Sequence, residues 1–176
     1  ARKGFEIGAD LWELDVAMSK DGELVILHDN TLERTSDAET VYADRKPWNV
    51  TEFTLAELRK LDFGAWYNLT DPFRQISSGA VSQEDKYKFV GIQIPTLREA
   101  LMFTKESQWK VNVEIKDHKG KDADATIVEK VVAVIVELGM EQSVIISSFN
   151  HDYLVRVKKA NAAIQTGALT NSAVND

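Results

Sequence analysis

Apolar and polar residues alternate through LWELDV (11–16), the period of two expected of a strand with two unlike faces. LVILHD (24–29) is an apolar, β-branched run that ends in His28 and Asp29. Between them lies AMSKDGE, whose Asp21-Gly22 pair signals a turn. A parallel crossover needs a dozen or more residues, so this spacing predicts an antiparallel hairpin. A loop of Ser19 to Gly22 sets Glu13 opposite His28, and a loop of only Asp21-Gly22 sets Asp15 opposite His28. In both registers Glu13, Asp15 and His28 share a face; an odd-length loop separates them.

The opening ARKGFEIGAD reads as the tail of a helix closing at Gly8. Residues 30–94 are mixed in pattern and read as an insertion. Within them TLAELRKLDFG carries a capping box, Thr54 with Glu57, and predicts a short helix stopped by Gly64. NLTDPFRQISSGAVSQEDKYKFVGIQ has no clean period and predicts a long loop with one helical turn. PTLREALMFTKES opens with a second capping box, Thr96 with Glu99, and places Leu97, Ala100 and Leu101 at helical spacing. The second half is regular. KVNVEIK (110–116), SVIISSF (143–149) and AIQTGALT (163–170) are strands; DATIVEKVVAVIVELG (124–139) is a helix ending at Gly139; NHDYLVRVKKA (150–160) is a helix capped by Asn150. Strands alternating with helices predict an α/β fold of parallel units with right-handed crossovers.

One strand is unusual. In VNVEIK, Val111, Val113 and Ile115 face one way, and Asn112, Glu114 and Lys116 the other. A central parallel strand is normally apolar on both faces. The polar face fits a barrel interior near its C-terminal rim, where (β/α)₈ active sites lie. It fits equally an edge strand with one wet face. Composition narrows the partners. The 176 residues, 44% hydrophobic and 28% charged, are globular in character and allow one domain. A net charge of -7 argues against a nucleic-acid partner, since phosphate backbones need a basic surface. No apolar run approaches the roughly 20 residues of a transmembrane segment. The absence of cysteine excludes disulfides and thiolate metal sites.

Each polar residue has an ordinary reading: solvated strand carboxylates for Glu13 and Asp15, a core histidine for His28, a turn residue for Asp29, a strand-end charge for Lys116. Asp117, His118 and Lys119 read as solvated loop residues, and the tryptophans as packing. Together the set says more. Carboxylates brought close on one face repel, and a divalent cation relieves that repulsion. All-oxygen ligands favour Mg²⁺ or Ca²⁺. Lys116 can hold an anionic oxygen beside the metal, and histidine moves protons near neutrality. Those are the requirements of phosphoester cleavage.

GADLWELDVAMSKDGELVILHDNTLERTS, FTLAELRKLDFGAWY, IPTLREAL, VNVEIK and VIISSFN resemble, in order, the glycerophosphodiester phosphodiesterase family. The resemblance implies a (β/α)₈ TIM barrel of the PLC-like phosphodiesterase type, present in part. It implies metal-dependent hydrolysis of a small-molecule glycerophosphodiester substrate to an alcohol and glycerol 3-phosphate. It implies Glu13, Asp15 and Glu114 as ligands of one divalent metal, Mg²⁺ or Ca²⁺, and His28 as one of two catalytic histidines. Lys116 matches a phosphate-contacting lysine, Phe149 a position near substrate, and Asp29 a further substrate contact.

The family's His-Arg-Gly strand and Pro-Glu-Asn-Thr segment have no counterpart here, and a complete barrel runs to about 250 residues. The chain therefore reads as part of a barrel, expected to be inactive alone. Two other readings stand beside it: a phospholipase D-like enzyme acting on lysophospholipid or sphingomyelin, and a degenerate, non-catalytic barrel domain.

Overall fold

A computed structural model describes residues 1–171. Its elements run α1 (Arg2–Glu6), β1 (Trp12–Met18), β2 (Leu24–Ile26), α2 (Ala38–Val41), α3 (Leu55–Leu58), α4 (Ala65–Thr70) and α5 (Gln83–Phe89). They continue with α6 (Leu97–Glu106), β3 (Val111–Ile115), α7 (Ile127–Glu137), β4 (Val144–Ser148), α8 (His151–Ala160) and β5 (Gln165–Ala168). Short 3₁₀ turns lie at Val50–Glu52 and Asp122–Ala125. No described helix is long and apolar enough to cross a membrane. The chain forms two compact units. One comprises Ala1–Met18, Leu24–His28 and the chain from Pro95; the other comprises Ser19–Glu23 and Asp29–Ile94.

The first unit is built on a sheet of order β2-β1-β3-β4-β5. β2 is antiparallel to β1, and the remaining pairs are parallel. β3 therefore has a neighbour on each side. Its Asn112 and Glu114 are half-buried, so the wet edge-strand reading of VNVEIK does not hold. Alternation divides the strands cleanly. Leu14, Val16, Val111, Val113, Ile115, Val144 and Ile146 join one core with Leu97 and Leu101 of α6, Ile127, Val131 and Ile135 of α7, and Val157 of α8. Fully burying each such aliphatic side chain stabilises the fold by about 1.5–3 kcal/mol. With the apolar positions committed to the helices, the alternate positions of β1, β3 and β4 share the opposite face. α6 begins with the expected capping box, Thr96 accepting from the Glu99 amide and Glu99 from the Thr96 amide. Gly139 follows α7 with φ +63, a conformation glycine adopts without strain. Asn150 starts α8 but does not cap it; its Nδ2 donates instead to Asp117 Oδ1 at 2.9 Å.

The hairpin differs from both expected registers. Val16 pairs with Ile26 and Met18 with Leu24, leaving the odd loop Ser19–Glu23. Local bonds inside the loop explain its length. Ser19 Oγ donates to Asp21 Oδ1 at 2.6 Å and accepts from the Glu23 amide at 2.9 Å, while the Ser19 amide donates to the Glu23 carbonyl at 2.9 Å.

The second unit holds the expected short helix α3, but also α2, α4 and α5, where a loop with one helical turn was expected. Elements of 4 to 7 residues are too short to show a helical period in sequence. Leu32, Trp48, Val50, Phe53, Leu58, Leu61 and Ile94 form its buried interior. α3 has its capping box but ends at Arg59, not at Gly64. Gly64 precedes α4 instead, and a Cβ there would lie 1.8 Å from the Phe89 carbonyl oxygen. Its role is close backbone approach. Asp62 accepts from the amides of Gly64, Ala65 and Gly91. Burial opposes the ionisation of Asp62, but those three bonds outweigh it and hold its carboxyl below the usual range.

Candidate active site

The polar face of the first unit's sheet gathers the carboxylates. Asp15 on β1 is the register partner of Glu114 on β3, and Glu13 that of Asn112. One oxygen from each of Glu13, Asp15 and Glu114 lies within 4.8 Å of the others. Lys116, two residues beyond Glu114, donates from Nζ to Glu114 Oε1 at 2.9 Å and to Asp15 Oδ1 at 3.3 Å. Burial alone would lower the Lys116 pKa. The hydrogen bond to Glu114 and the charges of Asp15 and Glu114 reverse that and raise it. Glu13 is the most exposed of the three carboxylates. Even so, desolvation, followed by repulsion from Asp15 and Glu114, holds its carboxyl above the ordinary range against the pull of Lys116 and His28. One ammonium thus faces three carboxylates. An excess of negative charge on hard oxygen donors is the chemistry that suits Mg²⁺ or Ca²⁺.

His28 reaches this group by a route the hairpin argument did not foresee. Continuing the ladder would set it opposite Leu14, away from Glu13. However, β2 stops at Ile26, and the Leu27 amide bonds to the Asp15 carbonyl of β1 at 3.0 Å. Beyond the end of β2, the exposed His28 lies near enough to favour the ionised form of Glu13. Phe149 follows β4 and is 47% exposed. Asp29 belongs to the second unit, where Arg34 grips its carboxylate with two bonds of 2.6 and 2.8 Å.

Three residues escaped sequence reasoning. His118, expected in solvent, is fully buried, with neither ring nitrogen hydrogen-bonded. The loop after β3 folds under Tyr153, whose hydroxyl accepts from the His118 amide at 3.2 Å and donates to Asp124 at 2.8 Å. Burial first, and then the Lys121 charge, push the His118 pKa down. Nothing in DHKG marks that burial. Asn112 Oδ1 and Ser147 Oγ are likewise buried without a partner. Their signal was available, since both are polar residues at alternate positions of otherwise apolar strands. The tryptophans pack as expected: Trp12 stacks on Trp109 with ring centroids 6.0 Å apart, and Trp48 is 2% exposed.

The sheet and its crossover helices define an α/β protein consistent with part of a (β/α)₈ barrel, with an acidic centre on the polar face of the sheet. The model of the glycerophosphoryl diester phosphodiesterase family matches residues 1–176, and the chain belongs to that family. It is 37% identical over 168 residues to a glycerophosphodiester phosphodiesterase of Caldanaerobacter subterraneus subsp. tengcongensis, covering 96% of this chain and 58% of the relative. It is 32% identical to one from Bacillus subtilis, covering 90% of this chain and 48% of the relative. Among solved structures it is similar to an Oleispira antarctica phosphodiesterase in complex with the product sn-glycerol-3-phosphate. That match has a TM-score of 0.66 at 27% identity and covers 94% of this chain and 56% of the other. The chain thus spans about half the length of the relatives it matches.

Proposed function

We propose that the protein carrying this chain hydrolyses glycerophosphodiesters to an alcohol and glycerol 3-phosphate with the help of one divalent cation. The observation that carries this reading is the convergence of Glu13, Asp15 and Glu114 within 4.8 Å, with Lys116 between two of them. The product held by the Oleispira relative is consistent with it. Glu13, Asp15 and Glu114 would hold Mg²⁺ or Ca²⁺. When bound, the cation supplies positive charge to offset what develops on the phosphoryl oxygens. Lys116 turns its ammonium from the carboxylates to a phosphate oxygen and orients the diester. The phosphorus–oxygen bond to the alcohol breaks as an incoming oxygen bonds to phosphorus: water gives glycerol 3-phosphate directly, whereas the substrate's own glycerol hydroxyl gives a cyclic phosphate that water then opens to glycerol 3-phosphate. His28 moves the proton, from the attacking hydroxyl or to the leaving oxygen. Phe149, exposed just after β4, offers an apolar surface to the substrate.

The test is release of glycerol 3-phosphate from glycerophosphocholine, with Mg²⁺ or Ca²⁺ and with chelator. Activity should require the cation. His28→Ala should lower turnover by about 10²–10⁴-fold, and near-normal turnover would remove His28 from the chemistry. Glu114→Gln should demand more metal for the same rate; unchanged metal dependence would argue against Glu114 as a ligand.

A further inference from the structure

Ser147 and Ser148 are neighbours in β4 with opposite fates. Ser148 is fully buried and fully engaged: its Oγ donates to the Ile115 carbonyl at 2.8 Å and accepts from the Asn150 amide at 3.1 Å. Ser147 is 3% exposed, and its Oγ has no partner. A buried hydroxyl left unpaired destabilises a fold, so such groups call for an explanation. Its position supplies one. Ser147 is the register partner of Glu114, so the two side chains stand side by side on the polar face. On its other side the register partner is Gly167, which has no side chain to satisfy it. A Cβ on Gly167 would lie 3.9 Å from the Ser147 Cβ, leaving ordinary space beside the hydroxyl. Asn112, two residues before Glu114 on the same face, carries another unpaired buried oxygen, Oδ1. The Glu114 carboxylate is therefore flanked by two buried oxygens, Asn112 Oδ1 and Ser147 Oγ, without hydrogen-bond partners.

In that network Glu114 is held by Lys116 at 2.9 Å. A divalent cation and an ammonium compete for the same carboxylate oxygens, and a carboxylate that binds metal is normally fixed in turn by a hydrogen bond from a second group. We propose that Ser147 is a positioning residue for Glu114, its hydroxyl donating to that carboxylate when a divalent cation replaces Lys116 as its partner. The inference rests on the metal reading above and deepens it. It explains why an unpaired hydroxyl sits in β4 level with Glu114 while its neighbour Ser148 is spent on the backbone.

The test uses Mn²⁺ as the probe, with its affinity read by calorimetry and by the electron paramagnetic resonance of free Mn²⁺, and with the melting temperature of the chelated protein read beside it. Ser147→Ala should weaken Mn²⁺ binding about 10-fold or more. It should also raise the metal-free melting temperature by roughly 2–4 °C, because a buried unpaired hydroxyl is removed. Ser147→Thr, which keeps the hydroxyl and has room beside Gly167, should restore affinity. Ser148→Ala should lower the melting temperature and leave Mn²⁺ affinity unchanged. Tight Mn²⁺ binding by wild type and equally by Ser147→Ala overturns the positioning role and leaves the metal reading standing. No Mn²⁺ binding by the wild type overturns both.

Discussion

Replacing Lys116 with methionine isolates the electrostatics of the acidic centre. The side chains of Lys116, Asp15 and Glu114 are 19%, 14% and 13% exposed, so solvent screens them weakly. At an effective dielectric constant of about 20, two unit charges 4.8 Å apart repel by about 3.5 kcal/mol. Without the ammonium the Asp15–Glu114 repulsion is unopposed, while the two that involve the exposed Glu13 are screened by solvent. The protein has a cheaper course. Protonating one glutamate of ordinary pKa near 4.3 costs about 3.7 kcal/mol at pH 7, at about 1.36 kcal/mol per unit. Glu13, whose carboxyl already lies above the ordinary range, takes the proton at less than that cost, and the repulsion between Asp15 and Glu114, about 3.5 kcal/mol at most, remains. Lys116→Met should therefore destabilise the chelated protein by about 3 kcal/mol at pH 7. The sign with pH follows. A carboxyl whose folded pKa is raised is no burden below its unfolded pKa and becomes one as pH rises through the folded value. The deficit should thus shrink from pH 7 towards pH 4. Removing the ammonium also removes a competitor, so Mn²⁺ should bind the variant at least as tightly as wild type, even as phosphodiester turnover falls. Urea unfolding at several pH values, with chelator and with Mn²⁺, measures all of this. A stability equal to wild type in chelator, or a deficit that grows on acidification, would refute the reasoning.

Gly64→Ala places a Cβ 1.8 Å from the Phe89 carbonyl oxygen and 2.9 Å from its carbon; because backbone must move, the cost should reach about 3 kcal/mol, read by urea unfolding and by faster exchange of the Gly91 amide. His118 is buried neutral with a depressed pKa, so its contribution is intact above the ordinary histidine pKa of about 6.5 and is lost as pH falls below it. His118→Leu should flatten the fall in urea midpoint between pH 7 and pH 5, and an unchanged slope would show that other groups cause it. Thr96→Ala removes the cap of α6 and should cost about 1 kcal/mol in thermal unfolding.

The β-α-β-α-β half was legible because each element is long enough to show its period and is buried on one side. Val111, Val113 and Ile115 announced a helix-facing surface, and by alternation Asn112, Glu114 and Lys116 were assigned to the other. Most of the second unit was not legible, because helices as short as Ala38–Val41 leave no period to read; α3 was legible only through its capping box. Gly64 looked like a helix stop because sequence distinguishes a glycine needed for φ from one needed for close approach only after its neighbour, Phe89, is known.

The two histidines show where pattern ends and geometry begins. Counting a hairpin sets His28 on the carboxylates' face only for an even loop, and Ser19 builds an odd one from its own side chain. His28 still lies near Glu13, because pairing ends at Ile26 and alternation stops applying beyond it. His118 failed in the opposite way. Its neighbours Asp117 and Lys119 are polar and its segment is a loop, yet a tyrosine from α8 draws the backbone beneath it and buries the ring. Ser147 and Ser148 are the sharpest case. Identical in sequence and adjacent in one strand, they differ only in which face they occupy, and the register with Glu114 on one side and Gly167 on the other decides which of them is free to serve the carboxylate.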